Sequence, residues 1–405
     1  MRVVFLSPHF PLEMPEFTRG LAEVGAEVYG LGSTPVEAIS AETRRYLSGY
    51  IQVPNVQDPI STLQHAKAQL LKIKPDRIEA LWEVAVITAA HLRAALGVPG
   101  QSPEDALAFR DKALMKERLE RAGLRVPRNA RVRNAKEARA AAERIGFPLI
   151  IKPIDGAGTR DTFRCDDAQE FEQALAKVTH LPEASVEEYI DGQEFTYDTV
   201  SIDGKPVFDS VAQYHPRPLE SRTQEWISPG QMVLRDPHAA GIDDAITFGR
   251  AVLRAMNMGT GFTHMEWFRK PNGEIVFGEI AARAPGGRLV DQMNYANDFN
   301  IYREWARVVC WRKFEAVAQR RYHVACVFKR ALGQGKIKRV LGLDEVRKRL
   351  GPWLVVEDLL PIGAQRRDWK QTLISDGCLI ARHPDYGTAM EMMRTLVSEV
   401  RLVAG

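Results

Sequence analysis

The chain opens with an apolar run over 2–7, a polar turn carrying Pro8 and Pro11, an amphipathic stretch over 16–24 and a second apolar run over 27–31. Short uninterrupted apolar runs suit strands buried on both faces, and apolar residues three and four apart suit helices, so the pattern predicts a parallel β-α-β start. Helical spacing returns over 60–73, a strand is predicted over 77–81 and a helix over 88–96, completing a small doubly wound, Rossmann-like sheet that ends near Gly100. Its first turn, Ser7-Pro8-His9-Phe10-Pro11, has no G-x-G-x-x-G, and Gly30-Leu31-Gly32 does not replace it, so no cofactor is expected there.

The texture changes at Ser102. A helix is predicted over 103–122, closed by Gly123, with Arg110, Asp111 and Lys112 midway along it. A helix over 135–145 capped by Gly146 follows, then a strand over 148–153 whose end carries Lys152 into a loop bearing Gly156, Gly158 and Arg160. Next come a helix over 168–178, strands over 185–190 and 194–202 about the turn Asp191-Gly192, and a strand over 206–211 after Asp203-Gly204. A polar loop over 215–230 is long enough to serve as a lid, and a helix over 243–256 follows it. Beyond about 312, strands near 322–328, 336–340, 353–357 and 377–381 with helices over 344–350 and 386–402 predict a third, α+β unit. The expected division is 1–102, 103–312 and 313–405.

Between these units lies the stretch with the clearest chemistry. Two runs rich in β-branched and aromatic residues, 262–269 and 274–281, flank Asn272-Gly273, a strong hairpin signal. With those two residues as the turn, Pro271 faces Glu274, Arg269 faces Val276, and Glu266 comes to lie opposite Glu279 on one face. Like charges directly across a ladder repel, so the pair needs a cation; magnesium, a hard ion taking oxygen ligands, fits it. Arg283 lies four residues beyond Glu279, and Gly286-Gly287 lets backbone approach a ligand closely. Two acids, an arginine and a glycine pair suggest a metal-bound anion. The run over 289–311 reads as a closing helix.

Composition narrows the function class. The 405 residues are 45% hydrophobic, enough for several proper cores, and 55 basic against 52 acidic residues leave a net charge of only +3. Without a polybasic block or an aromatic-basic stripe, nucleic acid is not an expected partner. Cys165, Cys310, Cys326 and Cys378 form no C-x-x-C pair and read as reduced thiols, which points to a cytoplasmic protein. No apolar stretch approaches the ~20 residues of a membrane span. Lys329, Arg330, Lys336, Lys338 and Arg339 read as a solvated basic face, with contact to an acidic substrate or to the main site as the alternative.

Lys112, Lys152 with its glycine loop, the run from Val186 through Glu187, Glu188, Tyr189 and Ile190 to Glu194, and Glu266 followed by Glu279-Ile280-Ala281-Ala282-Arg283 resemble the ATP-grasp superfamily in order, type and spacing. The resemblance covers about 103–312. The N-terminal sheet is similar to that family's pre-ATP-grasp domain, and the C-terminal unit to the cap of its purine-pathway carboxylase-type and L-amino-acid-ligase members. It implies an α/β and α+β architecture with ATP and magnesium as cofactors. Lys112, Lys152, Gly156 and Gly158 would meet the phosphates, Glu187 and Ile190 would line the adenine in a hinge whose Glu188 also counts among the nucleotide-binding residues, and Glu194 would receive the ribose hydroxyls. Glu266 and Glu279 correspond to magnesium ligands. Lys152 and Arg283 correspond to catalytic groups, the arginine steadying the transferred phosphoryl group. Many family members carry Asn where this chain has Ala281, which puts the number of metal ions in doubt, and Arg160 stands in a loop that departs from the common pattern.

The implied reaction joins a carboxylate to an amine through an acyl phosphate, releasing ADP and phosphate. A purine-pathway-like carboxylase or formyl-transfer ligase is an alternative, as is a nucleotide-binding regulator without turnover; retention of Lys152, Glu266, Glu279 and Arg283 disfavours the last. The expected partners are a small-molecule carboxylate and amine, with no nucleic acid and no membrane, and a homodimer is left open. Trp226, His215, Arg217 and His264 are candidates for substrate contacts.

Overall fold

The computed structural model describes residues 1–154, 161–178, 180, 182–238, 241–372 and 374–405. The first apolar runs become the parallel strands Arg2–Leu6 and Glu27–Gly32, joined by Arg77–Ala80 on one side and Gly49–Gln52 on the other. Gly49–Gln52 gave no pattern in the sequence because it is four residues long and only Ile51 is buried. The helix Met14–Glu23 packs across this sheet onto the helix Ile301–Trp311, with Phe17 edge-on to both Tyr302 and Trp305. The approach is close enough that a Cβ on Gly20 would meet the Tyr302 carbonyl oxygen at 2.7 Å.

A small antiparallel sheet, ordered Asn129–Val132, Ala184–Glu188, Leu149–Pro153, Phe163–Cys165, carries the helices Ala135–Ile145 and Ala168–Val178 on a core of Ala142, Ile145, Leu149, Ile151, Phe171 and Leu175. The dominant sheet has eight strands, in the order Ile275–Ala281, Gly261–Arg269, Gln193–Ile202, Lys205–His215, Gly230–Val233, His323–Phe328, Gly377–His383, Leu354–Leu359. The boundary expected at 313 therefore falls within one continuous sheet. Ile337–Leu341 pairs instead with Arg401–Ala404.

Three predicted helices are shorter than their apolar spacing suggested. The helix over 103–122 is two, Pro103–Ala108 and Lys112–Arg121, because the Asp111 side chain accepts from Ala113 N and Leu114 N and so starts a new helix at Lys112. The closing helix likewise divides into Leu289–Asn297 and Ile301–Trp311, with Asp298 left-handed and Asn300 capping the second. The last helix stops at Ser398, and 401–404 is strand. Asp111→Ala is expected to cost about 1 kcal/mol, and up to about 2, of stability as a lost cap. A lowered melting temperature in scanning calorimetry is the check.

The basic cluster is not a solvated face throughout. Lys329 is buried and donates through Nζ to the Leu396 and Val397 carbonyls, satisfying the end of a helix, while Arg330 is buried over the Trp369 ring.

Candidate functional site

The alternation along Gln193–Ile202 and Gly261–Arg269 divides the sheet into two faces. Phe195, Tyr197, Met265 and Trp267 go to an apolar core shared with the helix Asp243–Ala255. Glu194, Thr196 and Asp198 then share the opposite face with His264, Glu266 and Phe268, in register Glu194 with Phe268, Thr196 with Glu266 and Asp198 with His264.

Glu266 pairs with Glu279, by a different route from the one a two-residue turn implies. Lys270 N donates to Glu274 O and Gly273 N to Lys270 O, so the loop has three residues and the first ladder pairs are Arg269 with Ile275, Phe268 with Val276 and Trp267 with Phe277. That register would point Glu279 into the core. A bulge at Gly278 restores it, and a Cβ there would meet the Glu266 carbonyl oxygen at 2.8 Å. The bulge thus lets Phe277 and Ile280 both remain in the core while Glu279 between them faces the site.

Around the two carboxylates, Lys112 Nζ lies 3.3 Å from Glu279 Oε2, and Tyr214 donates its hydroxyl to Glu266 Oε1 at 3.2 Å. His264 Nδ1 is 2.6 Å from the fully buried Asp198 Oδ1, and its Nε2 is 3.6 Å from Glu266 Oε1. Burial alone would lower the imidazole pKa; Asp198 outweighs it and raises it to about 9. Burial also works against the Glu266 carboxylate, yet His264 and the Tyr214 hydroxyl hold it below the usual range. Glu194 is pushed up by burial and by Glu266, with Arg217 opposing.

The lysines come from two other elements. Lys152, at the end of Leu149–Pro153, reaches Glu187 Oε2 at 2.9 Å, and Lys116 pairs with Glu187 Oε1. Ser185 donates to the same carboxylate at 2.7 Å. Glu187 is therefore a buried counter-ion for two lysines, which outweigh its burial and hold its pKa well below the carboxylate range. Glu188 is likewise committed, accepting from Arg125 Nη2 at 3.0 Å and from Arg128 N at 3.1 Å. Ile190 is buried. Gly156, Gly158 and Arg160 lie outside the described residues.

Arg283 is held by Glu83, in the turn that follows the strand Arg77–Ala80, its Nε and Nη2 donating to Glu83 Oε2 at 2.9 and 2.7 Å and its Nη1 to Ala284 O at 2.8 Å. Although burial would raise the Glu83 carboxyl, Arg283 and Arg110 pull it down to about 2. Three of the guanidinium's five N–H donors are used in these bonds, which leaves two for a ligand.

Four contributors were not read from the sequence. Lys116 follows Lys112 by one helical turn, the spacing that puts both on one face. Asp198 shares the two-residue alternation of Glu194. Tyr214 and Glu83 carry no comparable local signal. Glu266 and Glu279 supply hard oxygen ligands, and among the described residues no group of three or more His, Cys, Asp or Glu is gathered as a metal cage. Two carboxylates are what magnesium commonly takes from a protein when substrate phosphates complete its shell, so the donor set fits that ion.

Residues 145–292 match the ATP-grasp domain family. An L-arginine-specific L-amino acid ligase from Bacillus subtilis is 26% identical over 309 residues, 74% of this chain and 73% of that protein. Over the whole chain and 98% of the other, the structure superposes on an L-amino acid ligase from Bacillus licheniformis with a TM-score of 0.79 at 18% identity. An N5-carboxyaminoimidazole synthetase from Staphylococcus aureus complexed with ADP gives 0.72 at 15% identity, covering 98% of this chain and 97% of that one. No helix among the described residues is long and apolar enough to cross a membrane.

Proposed function

We propose that this chain, which carries an ATP-grasp domain in an ATP-grasp fold, is an ADP-forming carboxylate–amine ligase that joins amino acids through an acyl phosphate. The observation that carries the proposal is the convergence of Glu266 and Glu279 with Lys112, Lys152 and Arg283, from five separate elements or turns, on one polar face beside the buried Glu187. The similarity to an L-arginine-specific L-amino acid ligase supports amino acids as both substrates.

Lys112 and Lys152 offer compact ammonium charges to the ATP phosphates. Glu187 holds Lys152 at the end of its strand and, with Glu279, keeps its pKa above the ordinary lysine value although burial opposes this. Glu266 and Glu279 would hold magnesium, which would supply positive charge to offset that of the phosphates. A carboxylate oxygen of the first substrate attacks the γ phosphorus, and the bond from that phosphorus to the β–γ bridging oxygen breaks, with its electron pair leaving on ADP. Arg283, aimed by Glu83, directs its remaining N–H groups at the phosphoryl oxygens as charge gathers there. The amine of the second substrate then attacks the acyl carbon, phosphate departs with the C–O electron pair, and the amine proton passes to phosphate or water.

Incubation with L-amino-acid mixtures, ATP and magnesium is expected to give equal ADP and phosphate and a product whose mass is that of two amino acids less one water. AMP as product, or no phosphate from any mixture, overturns the proposal. Lys152→Ala is expected to weaken ATP binding by ~1.5–3 kcal/mol, the range for one charge-assisted hydrogen bond. Titration calorimetry showing unchanged affinity would remove Lys152 from the phosphate site.

A further inference from the structure

Arg217 stands in the segment between the strands Lys205–His215 and Gly230–Val233, at the threshold of the short helix Pro218–Ser221. From there its side chain enters the polar face of the main sheet. Nε donates to Glu194 Oε2 at 3.3 Å and Nη1 to the Tyr189 hydroxyl at 2.9 Å. The guanidinium lies 5.1 Å from the Tyr189 ring centroid and 5.0 Å from that of Phe268, the residue paired with Glu194 across the ladder. Planar stacking and a bidentate reach are both properties of arginine that lysine lacks.

The far end of the same segment is tied down independently. Arg330 Nη1 donates to the Ser221 and Gln224 carbonyls at 2.8 and 2.9 Å, Arg222 Nη1 donates to Lys370 O at 2.9 Å, and Arg366 pairs with Glu225. Arg330, Lys370 and Arg366 all belong to the C-terminal part of the chain, so that part fixes how far Arg217 can reach.

Glu194 has an evident need for such a partner. It is buried on the same face as Glu266, and without a cation the carboxylate would be both desolvated and repelled. We infer that Arg217 is a positioning residue of the nucleotide site, orienting the Glu194 carboxyl group so that its free lone pairs accept the ribose hydroxyls. A carboxylate offers about four acceptor positions, so Arg217 can stay in place while the sugar binds. The inference rests on Glu194 as the ribose acceptor, which belongs to the proposed function.

The test uses ADP and 2′,3′-dideoxy-ADP as probes, with affinities measured by calorimetry on the full chain in magnesium. The unaltered protein is expected to prefer ADP by about tenfold or more, as for a hydrogen bond to a charged group. Glu194→Gln and Arg217→Gln should each reduce that preference to nearly one, while Arg217→Lys should keep part of it. Glutamine retains much of the stem between Tyr189 and Phe268, so the variant tests charge rather than packing, and an unchanged melting profile confirms the fold. Loss of the preference in Glu194→Gln with full preference in Arg217→Gln overturns the role of Arg217. Full preference in Glu194→Gln, or none in the unaltered protein, overturns the ribose reading beneath it, and the inference falls with that reading.

Discussion

Glu279→Gln is expected to abolish ligation while leaving the protein about as stable as before. The substitution keeps the volume of the side chain and removes one of two carboxylates that face each other across the ladder. Like charges in that arrangement repel, so the folded state loses a repulsion, which offsets the weakened attraction to Lys112 and Lys152. Lys112, 3.3 Å from Glu279 Oε2, keeps an amide oxygen to donate to. Turnover should nevertheless fall by more than about a hundredfold, because even the outer partners of metal ligands commonly cost 10–100-fold and Glu279 is proposed as a direct ligand. Glu266→Gln should behave alike but less completely. Stability is read by calorimetry and turnover by phosphate release. Near-normal rates in magnesium for Glu279→Gln would remove both carboxylates from the metal site.

Arg283→Ala is expected to bind ATP yet fail to form the acyl phosphate. With the correct carboxylate substrate, ATP and concentrated hydroxylamine in place of the amine, the unaltered protein should yield a hydroxamate with an equal amount of ADP. The variant should yield it about 10²–10³-fold more slowly, since a contact made to developing charge is typically worth roughly 3–4 kcal/mol. Glu83 would lose its pair with Arg283 in that variant while keeping the one with Arg110, and breaking a buried pair destabilises. Arg283→Lys, which retains a cation for Glu83, separates the two effects: it should fold normally and still be slow, because one ammonium cannot hold Glu83 and the phosphoryl oxygens together as a guanidinium can. Full hydroxamate from Arg283→Ala, or AMP in place of ADP, would exclude the mechanism.

Local pattern was sufficient for the strands and helices whose spacing is uninterrupted, such as Arg2–Leu6, Ala135–Ile145, Ala168–Val178 and Gln193–Ile202. Side-chain alternation and helical spacing are properties of neighbours in sequence, and they persist wherever one face is buried. The same alternation makes Glu194 and Asp198 share a face, and the Asn272-Gly273 signal puts Glu266 and Glu279 on one hairpin. Their pairing emerged from the sequence only because two departures cancel: a three-residue loop shifts the ladder by one, and the bulge at Gly278 shifts it back. Neither is visible locally, since a loop length and a bulge are selected by which side chains the core will accept, here Phe277 and Ile280.

The partners of the charged residues were decided only in three dimensions. Glu187 looks in sequence like any acid of a hinge, and folding makes it the counter-ion of Lys116 and Lys152. Arg283 is fixed by Glu83, 200 positions away, and Arg217 by Glu194 across a segment anchored in the C-terminal part of the chain. A buried charge must find a counter-charge, but sequence does not say which one, because that choice depends on which elements the hydrophobic cores bring together. For the same reason Lys329 and Arg330, which read as solvated, are buried: helix-end carbonyls and a tryptophan ring supplied what water would have.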